Sequence, residues 1–334
     1  SARAAIELAA STGMTTGTLH SLLAGYERGT DLPAPGTILV IDEAGMADIR
    51  TLTQVVSTHL QLGGKVLLAG DHHQLPEIGA GGGFAYATVH AQTVAELTVN
   101  RRQRSVWEQD ALRQLRNGDV AEAVRTYVEH DRLAVAESPG ELVSQAITLW
   151  TAARDAGLRP ILLSGTNELV DRLNEAAIEQ LLTRGELVET DPIAYGATPV
   201  RVGERVVLRR NSDQELAADG GPTAIANGQP GTVVATANGT VTVALDDGPV
   251  VRLDEQYLRR GGHLTHAYAL TSHRAQGGTW DFAIAVGADS LYREAAYVQL
   301  SRGVHENHIV LTDPEISQLL TDSLRDTARH DHGI

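Results

Sequence analysis

The chain has 334 residues, 42% hydrophobic and 21% charged, which is enough for two or three domains with cores of their own. A formal charge of −15 argues against a uniformly basic nucleic-acid coat. No apolar run approaches the roughly 18–20 residues that cross a bilayer, so no membrane association is expected. The absence of cysteine rules out disulfides and thiolate metal sites and suits a cytoplasmic location.

The opening "AAIELAAS" is an alanine-rich amphipathic helix, not a signal peptide. It leads to an apolar strand, "TILVI" (37–41), a helix over 49–62 and a second buried strand, "KVLLAG" (65–70). Unbroken Val/Ile/Leu strands separated by helices predict a parallel sheet covered on both faces. A second α/β block begins near 97. It has helices over about 105–130 and 140–156, a strand at 160–166 and a helix over 167–184. From about 189 the pattern becomes β-branched alternation with the turn pairs Asn238-Gly239 and Asp247-Gly248, which predicts a small β-barrel over 189–261. α/β character resumes at "FAIAVGA" (282–288) and "NHIVLT" (307–312), so the barrel is inserted in the second block. The expected fold is therefore α/β with two parallel-sheet domains, 1–96 and 97–188 plus 262–334, and the inserted barrel.

Charge is uneven along the chain. Residues 97–116 carry five arginines against Glu108 and Asp110, and residues 201–212 carry four against Glu204. Lys65 is the single lysine.

Several stretches carry chemistry. "VIDEAG" ends a strand in Asp42 and Glu43. Alone, such a pair is as often a solvated turn as a site. As a site, Asp42 holds a metal and Glu43 polarises an attacking water. "LLAGDHHQLPEIG" ends the next strand with Asp71 and Gln74, and strand ends of parallel sheets are where ligands bind. His72 and His73 make a poor metal pair, because adjacent turn residues point apart. "LTVNRRQ" brings Arg101 and Arg102, which alone read as a solvated basic turn. "YALTSHRAQGGTW" and "YVQLSRG" follow, and Arg302 in the latter reads as projecting from a packed surface toward a phosphoryl group. Packing is expected for Trp107 and Trp150, while Trp280 could equally stack on a base.

In this order, "DEAG", "GDHHQLP", "NRRQ", "TSHRAQG" and "YVQLSRG" resemble the successive motifs of superfamily 1 helicases of the RecD-like branch. Within it, "SARAA" and "TVNRRQ" are most similar to the helicase portion of conjugative relaxases of the TraI/TrwC kind. The resemblance implies two RecA-like domains using ATP and Mg2+, with single-stranded DNA as partner and other conjugation or DNA-processing proteins nearby. It implies that Asp42 binds the metal, Glu43 is the catalytic base and Gln74 couples the γ-phosphate to motion. Arg102 and Arg302 would reach that phosphate from the second domain. Thr18, His20, Thr271, His273 and Arg274 match strand-contacting positions, and Gln276 would link the two sites. Thr279 stands where many relatives have glutamate, a departure that puts ribose recognition there in doubt.

No G-x-x-x-x-G-K-[ST] loop precedes Asp42, and Lys65 enters a strand after the acids, so it cannot replace the loop's lysine. The chain is accordingly expected to be a fragment of a longer helicase, inactive as an ATPase alone, with residues 1–96 its less stable part. A non-catalytic nucleic-acid-binding or scaffolding module is the alternative. A nuclease using Asp42 and Glu43 lacks the further carboxylates it would need.

Overall fold

In the computed structural model the described residues are 5, 8–9, 12–30, 32–71, 74, 82–97, 100–188, 199–217, 220–237, 239–259, 263–287 and 293–317. His72, His73, Leu75, Pro76, Asn238, most of the glycine run at 79–83 and the terminal "HDHGI" lie outside them. The chain divides into two compact units at Arg101/Arg102, five residues beyond the boundary that composition suggests.

In the first unit, α1 (Leu19–Arg28) begins at Thr18, which shares a capping box with Ser21, and ends at Gly29 in a left-handed conformation. Strand β1 (Ile38–Ile41) pairs in parallel with β2 (Lys65–Leu68). Between them, α2 (Ile49–Gln61) is capped by Asp48. Helix α3 (Gly83–His90) follows β2. Leu39, Ile41, Val66 and Leu68 face a small core that includes Leu52 and Val55 of α2 and Phe84 of α3. The expectation of two covered faces fails here. Alternation places Ile38, Val40 and Leu67 on the opposite face, where Ile38 is 61% and Leu67 56% exposed.

Buried His59 ties this unit together. Its Nδ1 meets the Tyr26 hydroxyl at 2.8 Å and its Nε2 the Thr37 carbonyl oxygen at 3.1 Å, joining α1, α2 and the start of β1. With Nε2 protonated and donating to Thr37, Nδ1 accepts from Tyr26, and the neutral ring is fully used.

The second unit holds a five-stranded, wholly parallel sheet. Its order is β12 (Ala269–Thr271), β4 (Pro160–Ser164), β13 (Trp280–Val286), β14 (Gly303–Thr312), β3 (Leu133–Ala136). Even-numbered Leu162, Ile284, Val286 and Val310 pack on α6 (Pro139–Asp155) and α7 (Asn167–Thr183). Odd-numbered Ala285, Ile309 and Leu311 pack on α4 (Val106–Asn117), α5 (Val120–Glu129) and α10 (Arg293–Leu300). Here both faces are covered, as the unbroken apolar strands predict.

Between α7 and β12 the chain builds an antiparallel sheet in the order β11-β5-β8-β9-β10-β6-β7. These strands are β5 (Arg205–Leu208), β6 (Ser212–Ala217), β7 (Pro222–Ile225), β8 (Pro230–Ala237), β9 (Thr240–Leu245), β10 (Val250–Leu253) and β11 (Leu264–His266). Residues Glu255–Arg259 form the short helix α8. The predicted barrel is thus an open sheet in its hydrogen bonding, since β11 and β7 are edges that do not pair among the described residues. It does enclose its own core of Val206, Leu208, Val233, Val243, Val251 and Leu253. It also runs to His266, past the expected end at 261, because Leu264–His266 pair with β5.

Beneath this sheet Glu204 is completely buried. Burial alone would raise its pKa. Hydrogen bonds from His266, at 2.9 Å, and from the Arg201 backbone N–H, at 3.0 Å, hold it below the ordinary glutamate value.

A Cβ on Gly64 would lie 2.3 Å from His59 Nε2. Gly64→Ala is therefore expected to destabilise the first unit by roughly 1–3 kcal/mol. Hydrogen exchange at β1 and β2 would report it, and unchanged protection there would show that the ring gives way freely.

Candidate nucleotide and nucleic-acid sites

At the carboxyl end of β1 the chain turns sharply. Glu43 adopts φ 50°, ψ 40°, a left-handed conformation uncommon outside glycine, and caps a 3-10 turn over Ala44–Met46. Asp42 Oδ1 accepts the Glu43 N–H at 2.9 Å. The turn is bound to the end of β2, with Ala44 N–H donating to the Ala69 carbonyl and Ala69 N–H to that of Ile41, both at 2.8 Å. Gly70 makes this approach possible, because a Cβ there would sit 3.1 Å from Gly45 N and 3.2 Å from Ala44 N. Asp71 and Gln74 occupy a turn just beyond, closed by the Gln74 N–H on the Asp71 carbonyl at 3.2 Å. Asp42, Glu43, Asp71 and Gln74 therefore share the carboxyl edge of one parallel strand pair.

No group of three or more potential metal ligands occurs among the described residues. Magnesium at phosphate sites usually takes one or two carboxylates and fills its shell with water and phosphate oxygens. The exposed carboxylate of Asp42 suits that role.

In the first unit Thr18 is engaged as the N-cap of α1, and His20 is exposed one residue into the helix. A capping threonine has a structural reason to be there independent of any strand contact.

In the second unit the structure brings together three stretches that are far apart in sequence. Arg102 Nη1 donates to the Ser301 carbonyl at 3.0 Å, and Gln103 Nε2 to that of Gly303 at 2.9 Å. The Trp280 N–H donates to the Arg302 carbonyl at 3.0 Å. Gln299 Nε2 donates to Ser272 Oγ at 2.6 Å. "NRRQ", "TSHRAQGGTW" and "YVQLSRG" thus form one hydrogen-bonded assembly.

Arg302 departs from expectation. Its side chain does not project outward but is 2% exposed. Nε donates to the Val298 carbonyl at 2.7 Å, Nη1 to that of Gly278 at 3.3 Å and Nη2 to Ser301 Oγ at 2.8 Å. The preceding apolar run buries the loop, and neighbouring carbonyls replace the solvent the cation gives up. Thr271 caps the short helix α9 (Ser272–Ala275), on which His273 and Arg274 are partly buried, and Gln276 follows it. Trp280 packs against the cluster of Ile161, Leu163 and Ala275. Trp107 stacks on His130, and Trp150 lies in the core beneath Arg154.

A carboxylate that the sequence reading passed over supports this assembly. Glu108 is 1% exposed. Its Oε1 accepts from the Asn307 backbone and side chain at 3.1 and 3.0 Å, and its Oε2 from Ser105 Oγ at 3.0 Å. Asn307 in turn bonds both polar backbone atoms of Gly303. Burial raises the Glu108 pKa, and the hydrogen bonds from Asn307 and Ser105 oppose it. A signal was available: Glu108 shares the apolar helix face of Ala111, Leu112 and Leu115.

A family model described as an AAA domain matches residues 1–138. The chain is 30% identical over 302 residues to the conjugal transfer protein TraA of Rhizobium radiobacter, covering 90% of this chain and 27% of that one. It is 27% identical over 309 residues to the ATP-dependent RecD2 DNA helicase of Deinococcus radiodurans, covering 90% and 40%. It thus spans between about a quarter and two fifths of these relatives' lengths. Among solved structures, Bacteroides Pif1 bound to single-stranded DNA matches 98% of this chain and 90% of its own, with TM-score 0.55 and 18% identity. Pif1 helicase from Candida albicans matches 93% and 83%, with TM-score 0.53 and the same identity. The structural likenesses show that the chain shares the fold of these Pif1 helicases. By sequence it is similar both to a conjugal transfer protein and to a RecD2 DNA helicase.

Because the folded protein holds the Glu108 proton more tightly than the unfolded chain, this group's stabilisation is complete below the ordinary glutamate pKa. It is lost as pH rises through the raised folded value. Glu108→Gln keeps an acceptor for Asn307 and removes the ionisation. Its stability relative to the unaltered chain is expected to climb over that range and then level off. Urea denaturation at several pH values checks this, and parallel profiles would contradict it.

Proposed function

We propose that the chain is the motor portion of an ATP-dependent helicase or translocase acting on single-stranded DNA within a conjugative relaxase. The observation that carries this is the gathering of Asp42, Glu43, Asp71 and Gln74 on adjacent carboxyl strand ends, in a chain whose relatives include an ATP-dependent DNA helicase. Asp42 would hold Mg2+ and Glu43 would act as the base toward the attacking water. Gln74 would sense the γ-phosphate. When bound, the nucleotide and its metal would supply the phosphoryl group whose transfer drives movement. In the second unit Arg102 is the better placed of the two arginines to answer a phosphate. Arg302 holds its loop in the described state and would have to exchange carbonyl partners for phosphate oxygens. Gln276 would connect this loop to the strand-contacting residues Thr271, His273 and Arg274, with Thr18 and His20 contributing from the first unit.

The burial of Arg302 favours a second reading, a non-catalytic nucleic-acid-binding or scaffolding module in which this arginine is purely structural. An in-frame phosphate-binding loop in the gene upstream of Ser1 supports the motor, and a start codon there supports the scaffold.

With no phosphate loop of its own, the purified 334-residue chain is expected to bind oligothymidylate with salt-sensitive affinity but to show no DNA-stimulated ATP hydrolysis. Anisotropy titrations and a phosphate-release assay test both parts. Robust hydrolysis would overturn the expected lack of activity, and a strong preference among base sequences would overturn the mode of binding.

A further inference from the structure

The four arginines at 201–210 have two different fates. Arg201 pairs with Glu204 at 3.1 Å, and Arg205 pairs with Asp246. Arg209 and Arg210 form no ion pair among the described residues.

The position of Arg209 follows from strand geometry. Its N–H donates to the His263 carbonyl at 2.7 Å, extending the β5–β11 ladder by one residue. Side chains two apart on a strand share a face, so Arg209 points to the side of Val207 and away from Val206 and Leu208, which fill the inserted sheet's core. Val207 packs against Leu163, Leu270 and Ala275 of the parallel-sheet region. Arg209 is thereby aimed at α9, where Arg274 precedes Ala275. Both arginines are partly buried. No described residue accepts a hydrogen bond from either guanidinium, and no described carboxylate is within ion-pair distance of either. The Arg274 guanidinium is disfavoured first by burial and then by repulsion from Arg209, with Asp171 of α7 a weaker opposing influence. Burial likewise disfavours the charge on Arg209.

Two partly desolvated cations with no ion-pair partner among the described residues lower stability unless an anion joins them. Guanidinium forks match phosphate oxygens bidentately. We propose that Arg209 and Arg274 together form a binding site for a backbone phosphate of single-stranded nucleic acid, so that the inserted sheet supplies one of its two cations. This rests on the nucleic-acid reading above and assigns Arg209 a role that the sequence motifs do not.

The test compares the unaltered chain with Arg209→Ala, Arg209→Lys and Arg113→Ala, the last an exposed arginine paired with Asp110 at 2.8 Å. Each is titrated with labelled oligothymidylate across a salt series. Arg209→Ala is expected to weaken binding about fivefold at moderate salt and to flatten the slope of log affinity against log salt by about 0.7. Arg209→Lys is expected to restore most of that slope, and Arg113→Ala to leave it unchanged. Thermal melting without DNA is expected to show Arg209→Ala no less stable than the unaltered chain, because a repulsion has been removed. If Arg209→Ala has unaltered affinity and slope, or if Arg113→Ala lowers both equally, the site assignment falls while the nucleic-acid reading stands. No binding by the unaltered chain sinks both. Inorganic pyrophosphate serves as a separate probe: if Arg209→Ala weakens pyrophosphate binding but not oligonucleotide binding, the ligand is a nucleotide phosphate and the strand assignment is wrong.

Discussion

The second unit's candidate site depends on one buried carboxylate. Burial disfavours the charged form of Glu108, and three hydrogen bonds, two of them from Asn307, offset part of that penalty. Asn307 passes the constraint to Gly303, whose carbonyl also receives Gln103. Gly303 cannot be anything larger, because a Cβ there would meet the Glu306 carbonyl at 2.2 Å and Asn307 Oδ1 at 2.7 Å. The loop carrying Arg302 and the segment carrying Arg102 are therefore fixed to each other through backbone atoms. The placement of these two segments relative to each other thus belongs to the packed interior of the unit.

Much of this was legible in the sequence. Unbroken apolar strands announced the parallel sheet, and the strand-end polar pairs lie at the carboxyl strand ends where they were expected. The turn pair Asp247-Gly248 announced the inserted antiparallel region. What failed did so for identifiable reasons. "TILVI" looks identical whether one face or two are covered, so the exposed side of Ile38 and Leu67 could not be foreseen from its pattern. Arg302 was read from its charge, whereas its position after an apolar run and before a tightly packed glycine puts it indoors. Pairing register decides where the inserted sheet ends, and a three-residue strand such as β11 carries too little alternation to reveal it.

The two halves of the proposed nucleotide chemistry have different physical characters. The acids of the first unit stand on exposed turns, held by backbone hydrogen bonds between strand ends and by the close approach that Gly70 permits. In the second unit Arg302 is buried among neighbouring carbonyls, and Arg102 is partly buried and donates to the Ser301 carbonyl. A small core on one side of two strands supports the former, and cores on both sides of five strands support the latter. Rigidity is thus concentrated where positive charge must be placed, and the acidic side has the smaller reserve of packing.

The inserted sheet enters through β5 and leaves through β11, and these two strands are hydrogen-bonded neighbours. The hydroxyl of Tyr268, just past the exit, accepts the Arg205 N–H at the entrance, at 3.0 Å. Entry and exit are therefore a single stalk, already closed, and the host sheet meets only two adjacent chain ends. Joining those ends costs the host almost no loop-closure entropy, whatever the length of the excursion between them. A change of length in such a module leaves the strands of the host sheet in place, which makes it the part of the second unit freest to acquire new contacts.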